Sequence, residues 1–346
     1  MQKVEAKILD ALVRSKKSVW ELLDAVDVPL ISFVDGIRKL CSDGFVAVNG
    51  DGTFSLTEKG KNVIDERGSL FTSTICEKCL GKRITFNGKF IEVLEEYKRL
   101  VADRPQPCID FFQGYMREFD VIARIALMHH YGDLHGKEFI LIGDDDLVSV
   151  ALALTELPSR ICVLDVDERL GEFLGKLNRE HAFEIEFERY NVADPLPEKY
   201  VGKFDVFSSE PLETISGLKA FVLRGITSLK DGGVGYFGLT TAEASCKKWI
   251  AVEKLLARMN CVITDLIRGF SRYPMNYETI NYEDFIGKLQ LPVKENPGID
   301  WYKSALFRFE VLNKPRNVEN VNRKLRIKFV DEEEDLTHPA VSSKLG

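Results

Sequence analysis

The sequence predicts an α/β protein built on a parallel, doubly wound sheet, and three observations carry that prediction. From Asp110 onward, short apolar runs alternate strictly with helix-length segments, the pattern of strands joined by crossover helices. The run Phe139-Ile140-Leu141-Ile142 is continuously apolar, as a strand covered on both faces must be, and passes through Gly143 into Asp144-Asp145-Asp146. A second apolar run ends at Asp165, 22 positions after Gly143, the spacing at which an acid meets a ribose beside the first strand of such sheets.

Bulk properties narrow the possible functions. A chain of 346 residues with 45% apolar content has material for roughly two domains. No basic and apolar leader opens it, and no apolar run is long enough to cross a bilayer, so a cytoplasmic protein with no membrane partner is expected. Seven scattered cysteines fit reduced thiols better than a disulfide framework. A net charge of −7 argues against a general nucleic-acid binder and is compatible with a polycationic small substrate.

In chain order, residues 1–68 read as a winged-helix domain. Helical patterns cover Val4 to Arg14 and Val19 to Val26, and a third helix opens at Pro29 and Leu30, where the missing N–H of proline is no loss. Phe45 to Val48 and Thr53 to Leu56 flank Asn49-Gly50-Asp51-Gly52, a strong hairpin signal, and Thr57 suits a helix cap. The third helix offers only Arg38 and Lys39 against Asp35 and Asp43, and residues 1–68 hold ten basic and eleven acidic side chains. The electrostatic footprint of DNA binding is therefore missing, which favours a dimerisation or lid module and a homodimer.

Residues 69–105 are expected to form a hairpin around Cys76-Glu77-Lys78-Cys79, with strands over Phe71 to Ile75 and Arg83 to Phe86, then a helix from Phe90 to Asp103. The single CxxC has half the ligands of a tetrahedral zinc site. Cys41, Cys108, His129, His130 or the same motif of a second subunit would have to complete it, and two ordinary thiols explain it equally well. Arg104-Pro105-Gln106-Pro107 disfavours helix and marks the entry to a domain over residues 106–330.

There the strands are read as Phe139 to Ile142, Arg160 to Asp167, Phe187 to Asn191, Phe204 to Ser208 and Gly233 to Leu239. Val262 to Phe270 and Ser304 to Leu312 then form an antiparallel pair closing one edge. A parallel sheet closed in this way resembles the Rossmann-like class I methyltransferase fold. Residues 331–346 begin Asp-Glu-Glu-Glu-Asp and read as an acidic, solvated, flexible tail.

Gly143 permits a backbone course at the crevice that other residues would obstruct. The three acids beside it repel one another and attract a cation, although capping the next helix explains any one of them. Asp165 is placed to accept hydrogen bonds from a ribose, with Asp167 pointing the same way. Asn191 and Asp194 suit an adenine edge and equally a turn of their own. After the fourth strand Glu210 is placed to hold a nucleophilic nitrogen against Pro211. Glu213, a further candidate for substrate, fits the start of the next helix just as well.

These residues resemble a family. Gly143-Asp144-Asp145-Asp146-Leu147, Val163-Leu164-Asp165-Val166-Asp167-Glu168-Arg169-Leu170, Ala126-Leu127-Met128-His129 with Gly132-Asp133-Leu134, and Trp301-Tyr302-Lys303-Ser304 look like the branched-chain polyamine synthases, the N4-bis(aminopropyl)spermidine synthases, over nearly the whole chain. The resemblance implies transfer of aminopropyl groups from decarboxylated S-adenosylmethionine to the secondary amine of spermidine, with release of methylthioadenosine and no cofactor beyond that co-substrate. It implies that the middle acid, Asp145, is catalytic and that Gln113 and Tyr115 line the polyamine channel. Two positions depart from the family pattern: its Asp-Pro-Pro-Glu-Thr is Glu210-Pro211-Leu212-Glu213-Thr214 here, and an acid at the third strand tip is Asn191.

Charge supports the same donor independently. The carboxylate of S-adenosylmethionine would be repelled by Asp144 to Asp146, whereas the decarboxylated molecule presents only an ammonium. An S-adenosylmethionine-dependent N-methyltransferase is the alternative on the same fold, and a winged-helix regulator sensing a nucleoside or polyamine comes third.

Overall fold

The computed structural model describes residues 2–64, 75–289, 291, 293–313 and 322–342. Its N-terminal part holds α1 (Lys3–Leu12), α2 (Val19–Val26), α3 (Leu30–Ser42), the hairpin β1 (Val46–Val48) and β2 (Phe54–Leu56), and α4 (Glu58–Lys61). Local chemistry sets several of these ends. Ser18 and Glu21 cap α2 reciprocally, and the Thr57 hydroxyl accepts from Gly60 N at the start of α4. Ile8, Phe33, Ile37 and Phe54 meet in a fully buried core.

Both ends of α3 are tied to the rest of the chain. Leu30 N donates to the Ala242 carbonyl at 2.8 Å, and Arg38 donates to the carbonyls of Lys288 and Leu289. Asp24 on α2 pairs with both Arg272 and Lys303. The basic residue that a DNA-reading helix would use is thus spent on internal carbonyls.

Residues 75–88 form turns, with no strand among them. The expected hairpin is not seen there; Phe71 to Thr74 lie outside the described residues. The physical reason is Lys82, which is fully buried, sits 3.0 Å from buried Asp120 and lies over the Phe270 ring at 5.7 Å. An inward ion pair, rather than a strand ladder, holds this segment against α6 (Glu118–His130), which follows α5 (Lys89–Val101).

Among the described residues the central sheet has seven strands: β3 (Glu138–Ile142), β4 (Arg160–Asp165), β5 (Ile185–Arg189), β6 (Phe204–Ser209), β7 (Leu229–Thr240), β8 (Cys261–Tyr273) and β9 (Tyr302–Val311). They lie in the order β5-β4-β3-β6-β7-β9-β8, with the first five parallel and β9 antiparallel to both neighbours. This is the class I methyltransferase arrangement. The chain reverses its winding between β3 and β6, so a crevice opens beyond their carboxyl ends. Helices α7 (Val148–Thr155), α8 (Glu168–His181), α9 (Ile215–Ser228) and α10 (Cys246–Arg258) connect the strands, and none is long and apolar enough to cross a membrane.

The acidic tail is not solvated. Over residues 331–342 it packs onto the sheet domain, with Leu336 and Val341 buried and a short helix, α11 (Pro339–Ser342). Lys248, only 1% exposed, faces Asp331, Glu334 and Asp335 at 3.2–3.6 Å, and Glu334 accepts from Ser245 N and Oγ. Composition suggested disorder because it registers the run of acids; it does not register the buried lysine that neutralises them.

Close approach of α9 to β6 depends on Gly225, where an added Cβ would lie 2.4 Å from the Phe207 ring. Gly225→Ala is expected to destabilise the protein by about 2 kcal/mol through overpacking, read from urea unfolding midpoints at constant slope.

Candidate active site

A cavity of about 410 Å³ occupies the crevice, lined by the carboxyl ends of β3, β4 and β6, by Phe112 and Gln113 ahead of α6, and by Phe329, Asp335 and His338 of the C-terminal segment. The turn after β3 decides what faces it. Gly143 (φ 75°) and Leu147 (φ 54°) take left-handed conformations, and Leu147 N closes the turn on the Asp144 carbonyl at 2.8 Å. Successive side chains therefore point in different directions.

Only Asp145 of the three acids reaches the cavity wall; its Oδ2 accepts from Gly114 N at 3.2 Å. Asp144 points into the protein and accepts from Ser149 N at the start of α7, the capping role. Asp146 is also turned inward: Oδ1 accepts from Met116 N at 2.5 Å, and its carbonyl accepts from the Tyr97 hydroxyl. Burial, reinforced by mutual repulsion, pushes Asp144 and Asp145 well above the usual carboxylate range. Asp146 is pushed up to about 7 by burial and then by Glu210.

Asp165 lines the cavity beside them. Its two oxygens accept from Asp144 N and Asp167 N, which leaves the remaining lone pairs of the carboxylate for a ligand. Asp167 stands behind the wall: it caps α8 and binds Gln113 Nε2 and Arg169. Burial opposes its ionisation, yet Arg169 and Gln113 hold its carboxyl below the ordinary value. Asn191 reaches the rim, while Asp194 does not and pairs instead with Lys324 at 3.1 Å. Gln113 lines the cavity as expected. Tyr115 does not: its ring lies under the Arg104 guanidinium at 3.7 Å and its hydroxyl donates to the Pro105 carbonyl.

Glu210 and Glu213 both line the cavity, at its far wall. Glu210 is paired with the buried Arg124 and accepts from the Tyr273 hydroxyl at 2.5 Å. Glu213 is not used to start α9, which Thr214 caps; it turns back to accept from Thr240 N and Oγ1, and burial pushes it up to about 8. Sequence reasoning missed Glu243, Tyr273, Tyr282 and Tyr302, which complete this wall from the loop after β7, the end of β8, the segment between β8 and β9 and the start of β9. The cluster Tyr273-Pro274-Met275-Asn276-Tyr277 just past a β-rich run was the available signal. Cys76 is exposed, and among the described residues no three metal-ligating side chains gather around it or elsewhere.

Seven carboxyl side chains line the cavity, those of Asp110, Asp145, Asp165, Glu210, Glu213, Glu243 and Asp335, and among the described residues no lysine or arginine does. Aromatic faces sit among them, with Phe112 stacked on His338 at 5.5 Å and on Phe329 at 6.4 Å. Such a site suits a ligand carrying several positive charges on an apolar skeleton.

Comparison with known proteins agrees with this geometry. Residues 92–336 match the model of the branched-chain polyamine synthase A C-terminal domain. The chain is 39% identical to N(4)-bis(aminopropyl)spermidine synthase of Thermococcus kodakarensis, over 89% of this chain and 88% of that one, and 37% identical to the enzyme of the same name from Methanocaldococcus jannaschii, over 90% and 88%. Among solved structures it is similar to the branched-chain polyamine synthase of Thermus thermophilus in complex with N4-aminopropylspermidine and 5′-methylthioadenosine, with 32% identity, a TM-score of 0.79 and coverage of 95% of this chain and 92% of that one. Sequence, topology and an acid-lined crevice at the switch point thus agree, and the chain belongs to the branched-chain polyamine synthase family.

Proposed function

We propose that this chain is an aminopropyltransferase that moves aminopropyl groups from decarboxylated S-adenosylmethionine to the secondary amine of spermidine, giving branched-chain polyamines and methylthioadenosine. The observation that carries the reading is the cavity lining, which among the described residues holds seven carboxyl groups and no lysine or arginine. The family relatives named for this reaction support it.

In this reading Asp165 and Asn191 hold the adenosine end. The aminopropyl ammonium of the donor lies toward the turn of Asp145, with Asp144 and Asp146 behind the wall rather than in contact. The acceptor runs along the aromatic faces of Tyr273, Tyr282 and Tyr302. In the reaction, the secondary amine loses a proton to the Asp145 carboxylate, its lone pair forms the new C–N bond, and the C–S bond breaks to leave a neutral thioether. Asp145 is suited to this because burial holds a proton on it in the empty site, and arriving ammonium groups shift it toward the ionised base. Two chains pairing through residues 1–68 form the expected assembly, which sedimentation at micromolar concentration tests.

Three outcomes are expected. Calorimetry should show decarboxylated S-adenosylmethionine binding at least about tenfold tighter than S-adenosylmethionine, about 1.4 kcal/mol; the reverse preference would assign the methyltransferase reading instead. The acidic limb of kcat/KM against pH should lie well above the ordinary carboxylate range, because burial and then the neighbouring Asp146 and Asp165 hold the Asp145 carboxyl in its protonated form. Asp145→Asn should lose at least about a hundredfold in turnover and yet melt at a higher temperature than the parent at pH 8. The sign follows from linkage. A carboxyl with a raised folded-state value destabilises the fold increasingly as pH rises from about 3.9 to that value, at about 1.4 kcal/mol per pH unit, and asparagine removes the penalty.

A further inference from the structure

Glu210 faces the cavity with only part of its carboxylate, because two groups from two different elements bind the rest and a third element leaves it room. Arg124, on α6, is completely buried, and its Nη2 binds Glu210 Oε1 and lies 3.3 Å from Ser271 Oγ. Tyr273, at the end of β8, donates to Oε2 at 2.5 Å and stands 3.0 Å from Ser304 Oγ on β9. Gly238, on β7, supplies the space: a Cβ there would lie 1.8 Å from Oε2. Among the described residues, Arg124 Nε and Nη1 are buried without a hydrogen-bond partner. A guanidinium placed where two of its nitrogens go unsatisfied costs stability, so packing alone does not account for it.

Resting on the aminopropyltransferase reading, we propose that Arg124 is a positioning residue for the transfer, holding Glu210 against the Gly238 wall so that its carboxylate meets the acceptor amine on one side only. Arg124 itself touches neither substrate, since it does not line the cavity. Its charge has a second effect. Asp146, behind the catalytic turn, faces Glu210 from β6, Arg124 from α6, Arg104 and Tyr97 from α5 and its extension, Tyr273 and Tyr277 from β8 and beyond, and Asp144 and Asp145 on its own turn. Glu210 raises the proton affinity of Asp146 and Arg124 lowers it. Arg124 thereby offsets the field of the carboxylate it positions. Without it, the effect of Glu210 on Asp146 would be offset less, and Asp146 would hold its proton to higher pH.

The test separates charge from geometry in the full-length protein. Arg124→Met removes both. It is expected to raise the KM for spermidine about tenfold and to move the acidic limb of the pH–rate profile up by about one pH unit. Methylthioadenosine binding, measured by calorimetry, should stay within about twofold. Arg124→Lys keeps the charge and loses the fork; its limb should return to the parent position while the KM stays high. Tyr273→Phe frees Oε2 without altering a charge and should raise the KM with no shift of the limb. If Arg124→Met does not fold, the other two variants still decide: a raised spermidine KM in both Arg124→Lys and Tyr273→Phe supports the proposal, and an unchanged KM in both overturns it. An unmoved limb in Arg124→Met, or a spermidine KM unchanged in all three variants, overturns the proposal. Failure of the underlying activity is distinguishable, because it appears as absence of transfer in the parent protein and overturns both readings together.

Discussion

The arrangement of this protein depends on the cost of keeping several carboxyl groups together away from water. Asp144, Asp145, Asp146 and Asp165 meet at one turn, and each is pushed toward its protonated form first by burial. Like charges this close in a low-dielectric site cannot all ionise unless positive charge joins them. In the empty protein that charge is supplied by protons. With a sulfonium donor and a polyamine present it is supplied by the ligands. Binding and proton release are therefore coupled by the same electrostatics, and the site is poised for a cation that must give up a proton before it reacts.

The surrounding elements maintain that condition. Backbone N–H groups are directed at the acids: Met116 N to Asp146, Gly114 N to Asp145, Asp144 N and Asp167 N to Asp165. They favour the ionised forms without bringing a mobile cation into the cavity. The cations of this part of the chain stand behind the walls. Arg124 holds Glu210, Lys248 gathers the tail acids, and Arg169 holds Asp167. The N-terminal helices are tied to elements that border the site, α3 to Ala242 beside Glu243 and α2 to Arg272 and Lys303 on the closing strands.

Much was legible in the residues themselves. Period and punctuation are local, so the alternation of apolar runs with helices specified the parallel sheet and its antiparallel edge. Gly143 marked the turn because a left-handed residue is needed there, and Asp165 marked the second strand tip because the spacing from that glycine is a property of the chain. Charge composition, which needs no coordinates, pointed to a polycationic ligand.

Direction and pairing were not legible, because both depend on residues far apart in the chain. Three consecutive acids look equivalent in sequence, yet the turn aims Asp145 alone into the cavity and turns Asp144 to a helix start and Asp146 to Met116 N. Tyr115 and Asp194 have the right chemistry for a site, but Arg104 and Lys324 engage them elsewhere. The acid-rich tail looked disordered until Lys248, more than 80 positions earlier, was found buried against it. What the sequence determined alone was element type, order and net charge. Tertiary structure decided which charges face the cavity, since a side chain's partner is set by three-dimensional proximity and not by its neighbours in the chain.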